Sequence, residues 1–276
     1  MTVKREPFKP PKTDVVPKLR VKNLSVSYID RRGQETEAVR DVSFDVLDKP
    51  DSGEVIVFLG PSGCGKSTIL KAVAGLLPPT KGEIQVDGAP VTDVGRDRGM
   101  VFQTYTSFGW QTVRENVEYG LRLQNIGKSE RKKISDKILK SVGLTDFAER
   151  YPKDLSGGMK QRVAIARTLV NNPKVVLMDE PFGALDPQTR WGMQSLLLDV
   201  SRETNNTILF VTHDVSEAVY LADTVYVLSS RPAQILHQID LPPFAVHDIA
   251  LKSSSEFRAI EKQLLDLIYN SPASRK

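Results

Sequence analysis

Gly60-Pro61-Ser62-Gly63-Cys64-Gly65-Lys66-Ser67 decides how this chain is read. It fills every fixed position of G-x-x-x-x-G-K-[ST]. Just before it, Val55–Leu59 is a continuous apolar run, the pattern of a strand covered on both faces. Just after it, the pattern predicts a helix beginning near Lys66. Strand, glycine loop and helix start are the setting in which this motif binds phosphate. The glycines let backbone N–H groups turn inward around a β-phosphate, and the helix N-terminus adds the positive end of its dipole. Lys66 places a point charge at the β- and γ-phosphates, and Ser67 can ligate Mg²⁺. Cys64 fills a variable position of the loop. Its default role is filler; the alternative is an oxidisable thiol, since a helix N-terminus can lower a thiol pKa.

On the N-terminal side, Leu19–Tyr28 and Ala38–Leu47 alternate apolar and polar residues as half-buried strands do. The charged stretch Asp30–Glu37, with Gly33, joins them into an antiparallel hairpin. On the C-terminal side, Glu83–Val86 and Gly99–Gln103 read as short strands. Val113 to Val142 is charged and helical in pattern, which marks an inserted helical subdomain closing around Gln161. Met159, Val163, Ala166 and Val170 fall at helical spacing, on a helix expected to point back into the core domain. Strand and helix then alternate. Val175–Met178 and Ile208–Val211 are buried strands, Met193, Leu196, Leu197 and Val200 mark one helix, and Val215–Ala222 is another. Thr224–Leu228 and Gln234–Ile239 form a closing strand pair. Such alternation implies a mostly parallel sheet with helices on its faces. From Ser253, the residues Phe257, Ile260, Leu264, Leu267 and Ile268 predict an amphipathic helix packed on its own domain.

Composition sets outer bounds. With 276 residues the chain has room for one large domain or two small ones. The net charge of +4 is an ordinary solvated surface and gives no argument for nucleic-acid binding. The single cysteine excludes an intrachain disulfide. Met1 to Lys18 carries Pro7, Pro10, Pro11 and Pro17 and no apolar core, so it reads as a disordered or loosely packed tail and not as a signal peptide. No apolar run approaches the ~18–20 residues that cross a bilayer, so any membrane span must come from another chain.

Val175-Val176-Leu177-Met178-Asp179-Glu180 is an apolar strand ending in two acids. Strand ends in α/β sheets open onto the ligand crevice. Successive strand side chains point to opposite faces, so adjacent acids there can take different jobs. Asp179 is expected to hold the Mg²⁺ shell, and Glu180 to orient and polarise an attacking water.

Leu155-Ser156-Gly157-Gly158-Met159-Lys160-Gln161, placed before Asp179-Glu180, resembles the signature motif of ABC ATPases. It separates this chain from P-loop kinases and GTPases. The resemblance extends over residues 19 to 240. It implies an α/β fold of P-loop NTPase, ABC type: a mostly parallel core sheet, an N-terminal antiparallel β-subdomain and a helical subdomain at about residues 104–162. Residues 241–276 then form a C-terminal extension. The implied nucleotide set is Tyr28, stacking on adenine, with Gly60, Pro61, Ser62, Gly63, Cys64, Gly65, Lys66, Ser67 and Thr68. Ser67, Gln103 and Asp179 stand at the metal positions, and Gln103, Glu180 and His213 at the catalytic ones. Ala184-Leu185-Asp186 matches the D-loop, and His213, in Thr212-His213-Asp214, matches the switch histidine.

The family mechanism implies a head-to-tail pair of such domains. ATP on the cradle of one is capped by Ser156, Gly157 and Gly158 of the second copy, and hydrolysis separates the pair. The resemblance is greatest to importer subunits of the nitrate/sulfonate/taurine type, on Phe102-Gln103-Thr104-Tyr105-Thr106-Ser107-Phe108-Gly109-Trp110 and on Met178 to Asp186. Gly109 departs from the proline common in that group. The extension is shorter than the regulatory domain of the maltose-type group. This implies permease partners reached through the Phe108–Trp110 region, where both aromatics read as exposed; Trp110 reads as an interface anchor, and Phe108 reads equally as an anchor or as packed within the helical subdomain. A substrate-binding protein is engaged indirectly, and the expected location is the cytoplasmic face of the plasma membrane. The alternative is a soluble ABC ATPase on ribosomes or DNA. The absence of a second nucleotide domain and of a long coiled coil argues against it.

Overall fold

A computed structural model describes residues 16–48, 53–204, 206–244 and 247–269. The expected N-terminal tail lies outside the described residues as far as residue 15. The chain opens with β1 (Leu19–Ile29), β2 (Glu35–Val46), β3 (Glu54–Leu59), α1 (Lys66–Val73), β4 (Lys81–Val86), β5 (Ala89–Pro90) and β6 (Arg98–Val101). The helical insertion holds α2 (Val113–Val117), α3 (Tyr119–Leu123), α4 (Lys128–Ser141) and the first part of α5 (Gly157–Leu169). There follow β7 (Val175–Asp179), α6 (Pro187–Thr204), β8 (Thr207–Thr212), α7 (Val215–Leu221), β9 (Thr224–Leu228), β10 (Ile235–Asp240) and α8 (Ser255–Tyr269).

Two sheets result. The N-terminal one is antiparallel in the order β2-β1-β4-β5. The core sheet runs β10-β9-β3-β8-β7-β6, parallel except for β10 at its edge. The first hairpin turns more tightly than the charge pattern implied. Asp30 Oδ1 accepts the N–H groups of Arg32 (2.7 Å) and Gln34 (2.9 Å), closing the turn so that β2 starts at Glu35.

One face of the core sheet packs against α1 and the N-terminal sheet, around Phe44, Phe58, Ile69, Leu70 and Tyr226. Here Phe44, Phe58 and Tyr226 form an aromatic trio with ring centroids 5.2–5.4 Å apart. The other face is covered by α5 to α8 around Phe182, Phe210, Tyr220 and Phe257. The expected amphipathic helix is α8, and it packs on its own domain through the buried Phe257 and Leu264.

The helical insertion has a small core of its own, including Val113, Val117, Leu139 and Leu144. The helix α5 does return to the core domain, and it carries two apolar stripes. The stripe Val163, Ala166 and Val170, with Met159 against it, faces that insertion core. A second stripe, Ala164, Ile165 and Leu169, faces the main core. A helix buried on two sides carries two apolar stripes, and periodicity alone does not say which one meets which layer. Thr112-x-x-Glu115 forms a reciprocal capping box that starts α2, a sequence signal for that helix that the reading above did not use.

Candidate nucleotide site

Strand register brings the site together. β3 and β8 are parallel with Leu59 opposite Thr212, and β7 and β8 are parallel with Asp179 opposite Val211. The three strands therefore end level. The residues that follow them, Gly60, His213 and Glu180, emerge side by side at the C-terminal edge of the sheet, where open α/β sheets bind ligands.

The cradle turns from β3 into α1. Gly65 has φ of 122°, and a Cβ there would collide with the Ala38 carbonyl, so only glycine fits. Lys66 is buried, and its Nζ donates to the carbonyls of Gly60 (2.8 Å) and Pro61 (2.9 Å). Its ammonium also stands 3.7 Å from Glu180 Oε1. Ser67 Oγ donates to Asp179 Oδ1 at 2.6 Å, joining positions far apart in sequence. Burial pushes the Asp179 carboxyl above its ordinary range, and the Ser67 hydrogen bond opposes that shift. Tyr28, half exposed at the end of β1, shares a 3.1 Å hydrogen bond with Thr68 of α1, so the aromatic is tethered beside the cradle.

Glu180 Oε2 and His213 Nδ1 are 3.0 Å apart. Glu180 sits past the end of β7 with φ of 44°, and its N–H donates to the Val211 carbonyl. The two acids therefore diverge because the backbone turns into the left-handed region after Asp179, not through strand alternation as the sequence reading supposed. A glutamate held at positive φ is strained, and such strain clusters at functional sites. Gln103 is exposed and its Nε2 reaches toward the turn at Gly183, beside Glu180.

Cys64 takes the filler role, and the alternative of an oxidisable thiol is disfavoured. The side chain is 2% exposed, and burial pushes its pKa up, outweighing the opposing pull of Lys66. Cys64 packs in the core under the cradle.

The signature residues stand apart from these groups. Ser156 caps α5, accepting the Met159 N–H at 3.3 Å. Gly157 lies against Tyr105, and Gly158 against Thr189 at the start of α6. Asp186 caps α6 by accepting the Thr189 N–H at 3.0 Å, and that bonding lowers its pKa. Sequence reasoning missed Arg190, which donates to the Leu185 carbonyl (3.1 Å) and faces Asp214 at 3.6 Å, tying the turn before α6 to the turn after β8.

Of the two readings open for Phe108, the structure favours local packing. Phe108 is half buried, packed on Tyr119 at 4.7 Å and under the Arg167 guanidinium at 5.3 Å. Trp110 is 77% exposed. Beside them is a groove of about 520 Å³ between the insertion and the core sheet, lined by Arg98, Phe102, Phe108, Leu123 and Arg167 among others. Among the described residues, no helix is long and apolar enough to cross a membrane.

Known proteins share this arrangement. A family profile described as ABC transporter matches residues 39–183. A nitrate import ATP-binding protein of Synechocystis is 49% identical over 223 residues, 81% of this chain and 82% of that one. A taurine import ATP-binding protein of Roseobacter denitrificans is 43% identical over 257 residues, 91% and 94% of the two chains. Among solved structures, a dimeric ATP-binding cassette bound to ADP and Pi in a post-hydrolysis state superposes with a TM-score of 0.69 at 32% identity, covering 82% of this chain and all of that one. The cbiO1 protein of Clostridium perfringens, part of an ABC transporter complex, gives 0.71 at 30% identity, covering 82% and 89% of the two chains. Shared sequence over most of the length and a shared cassette fold lead to one conclusion: this chain belongs to the ABC transporter family and is an ABC-type ATPase.

Proposed function

We propose that this chain powers an importer for a small anion or organic solute such as nitrate, a sulfonate or taurine. Relatives that import nitrate and taurine support the choice of cargo. The mechanism rests on the juxtaposition of Glu180 with His213 at 3.0 Å and with Lys66 at 3.7 Å.

The triphosphate lies in the 60–68 cradle, with Lys66 turned from the loop carbonyls toward the β- and γ-phosphates and Tyr28 under the adenine. Ser67 and Asp179 are two oxygen donors already within 2.6 Å, the hard ligands magnesium prefers, and Gln103, whose Nε2 reaches toward Gly183, would supply a third. Magnesium, when bound, neutralises phosphate charge at that point. Glu180 accepts a proton from the attacking water and orients it. His213 holds Glu180 in place and contacts the γ-phosphate. Ser156, Gly157 and Gly158 of a second copy, with Asp186 at the shared boundary, complete each site. The groove beside Phe108 and Trp110 receives the permease at the cytoplasmic face of the membrane, and the permease and its substrate-binding protein select the cargo.

Glu180→Gln tests this reading. The variant keeps ATP affinity, hydrolyses about 10²–10⁴-fold more slowly, as expected for loss of a general base, and accumulates as an ATP-bound dimer in size-exclusion chromatography. A variant that stays monomeric at saturating ATP and Mg²⁺ while hydrolysing at the wild-type rate refutes the mechanism.

A further inference from the structure

Glu217 lies in the first turn of α7 and is only 5% exposed. A carboxylate that deep is costly unless its lone pairs are filled. Gln194 of α6, itself 1% exposed, donates through Nε2 to Glu217 Oε1 at 3.0 Å. The Thr212 hydroxyl faces the same carboxylate and opposes the upward push that burial gives its pKa. Thr212 Oγ1 also accepts the Asp214 N–H at 3.0 Å, so its one hydroxyl proton is left for Glu217. Asp214 in turn caps α7 by accepting the Glu217 N–H at 3.1 Å. On its outer side Gln194 accepts from Lys252 of the C-terminal extension at 3.4 Å.

Thr212 and Asp214 are the two neighbours of His213. The histidine side chain is 53% exposed and has little wall to orient it. Its direction depends on the backbone on either side and on its contact with Glu180. Both flanking residues meet Glu217: Asp214 accepts its N–H, and the Thr212 hydroxyl faces its carboxylate. We propose that Glu217 is a positioning residue for hydrolysis: it fixes the 212–214 turn so that the His213 ring meets Glu180. The inference rests on the role assigned to His213 above.

Four proteins test it: wild type, His213→Ala, Glu217→Gln and the double variant, compared for kcat and KM with Mg-ATP and for Tm. Glu217→Gln presents an N–H₂ to a donor, so the turn loosens. The expected result is a kcat lower by about 10- to 100-fold, the cost of a misplaced reacting group, with KM within about twofold. In the His213→Ala background Glu217→Gln has almost no further effect on kcat, because both act through one group. The exchange Gln194→Glu with Glu217→Gln recovers most of kcat, since the carboxylate moved to position 194 accepts from the new amide and pairs with Lys252. If Glu217→Gln does not fold, Glu217→Asp keeps the charge, shortens the reach and gives the same split. Wild-type kcat in His213→Ala overturns the reading of the site and this inference with it. A reduced kcat in His213→Ala beside wild-type kcat in Glu217→Gln overturns this inference alone. Equal loss in both backgrounds also overturns it, because a purely structural defect multiplies.

Discussion

Asn116→Asp is a near-isosteric change with a large expected cost. Asn116 is fully buried in α2 and holds the loop that presents Trp110. Its Oδ1 accepts the Phe108 N–H at 2.8 Å. Its Nδ2 donates to the carbonyls of Phe108 (3.0 Å), Gln111 (3.1 Å) and Thr112 (2.9 Å), two protons shared among three acceptors. Aspartate keeps the acceptor and loses the donor. Two hydrogen bonds are worth about 1–3 kcal/mol, and an oxygen left buried against carbonyls costs about 1–3 kcal/mol more. A total of roughly 3 kcal/mol, in the lower half of the resulting range of about 2–6 kcal/mol, lowers Tm by about 6–12 °C in a domain this large. The new carboxyl can restore one donor only when protonated, so its folded-state pKa is raised. The deficit relative to wild type is therefore greatest at neutral pH and shrinks as pH falls through that pKa. Thermal melts at several pH values read both effects. An Asn116→Asp protein that melts within about 2 °C of wild type at pH 7, where Tm moves about 2–4 °C per kcal/mol, refutes the account of this loop.

Other perturbations separate the parts of the site. Asp179 has a pKa raised by burial, so its protonated form is favoured in the folded state, and stability from this group is lost as pH rises through the folded value. Asp179→Asn accordingly raises the Tm of the nucleotide-free protein at neutral pH, loses that gain on acidification toward about pH 4, and abolishes stabilisation by Mg-ATP; an unchanged nucleotide-free Tm argues against the buried charge. Trp110→Ala leaves the ATPase rate of the isolated subunit within about twofold and weakens stimulation by the permease, since exposed aromatics anchor interfaces; unchanged transport removes its interface role. Lys66→Ala and Ser156→Ala proteins, each impaired alone, hydrolyse ATP together faster than the sum of their separate rates. One of the two sites in the mixed dimer then has both an intact cradle and an intact cap, and strictly additive rates rule out a shared site.

The cradle was legible because its requirements are local. A glycine at φ of 122° and a lysine at the helix start are demanded by a short stretch of backbone. The strand–helix alternation was legible for the same reason, since periodicity is a property of contiguous residues. What sequence left open is who meets whom. Ser67 finds Asp179, and Tyr28 finds Thr68, only after the strand order β3-β8-β7 is set, and no local pattern encodes that order. The left-handed turn at Glu180 went unread because neither glycine nor asparagine marks it. Whether Phe108 packs or stays free was open in sequence because its partners, Tyr119 and Arg167, lie on two helices beyond its own loop. The two readings of Cys64 could not be separated in sequence because helix-terminus electrostatics can be seen there, whereas burial, the larger effect here, cannot.

The signature glycines have a reason to be glycine within a single chain. A Cβ at Gly158 would stand 2.5 Å from Thr189 Cγ2, and Thr189 is fixed by the cap to Asp186. One at Gly157 would stand 2.8 Å from the Tyr105 hydroxyl. Loss of dimerisation in a Gly158→Ala protein could therefore come from a displaced α6 and says little about a partner's nucleotide. Ser156 is different. Its hydroxyl caps α5 with one 3.3 Å bond, so alanine there costs about 1 kcal/mol of helix-end stability and moves no neighbour. A large loss of hydrolysis in Ser156→Ala thus exceeds what the cap explains. α5 runs back along the sheet, with Thr168 near its end against Gly99 at the start of β6, so its first turn faces the same C-terminal edge as the cradle. The serine sits at that edge while its described contacts are with its own helix. On the proposed reading this serine completes a phosphate site on a second copy, and Ser156, rather than the glycines, is the position whose substitution tests that reading.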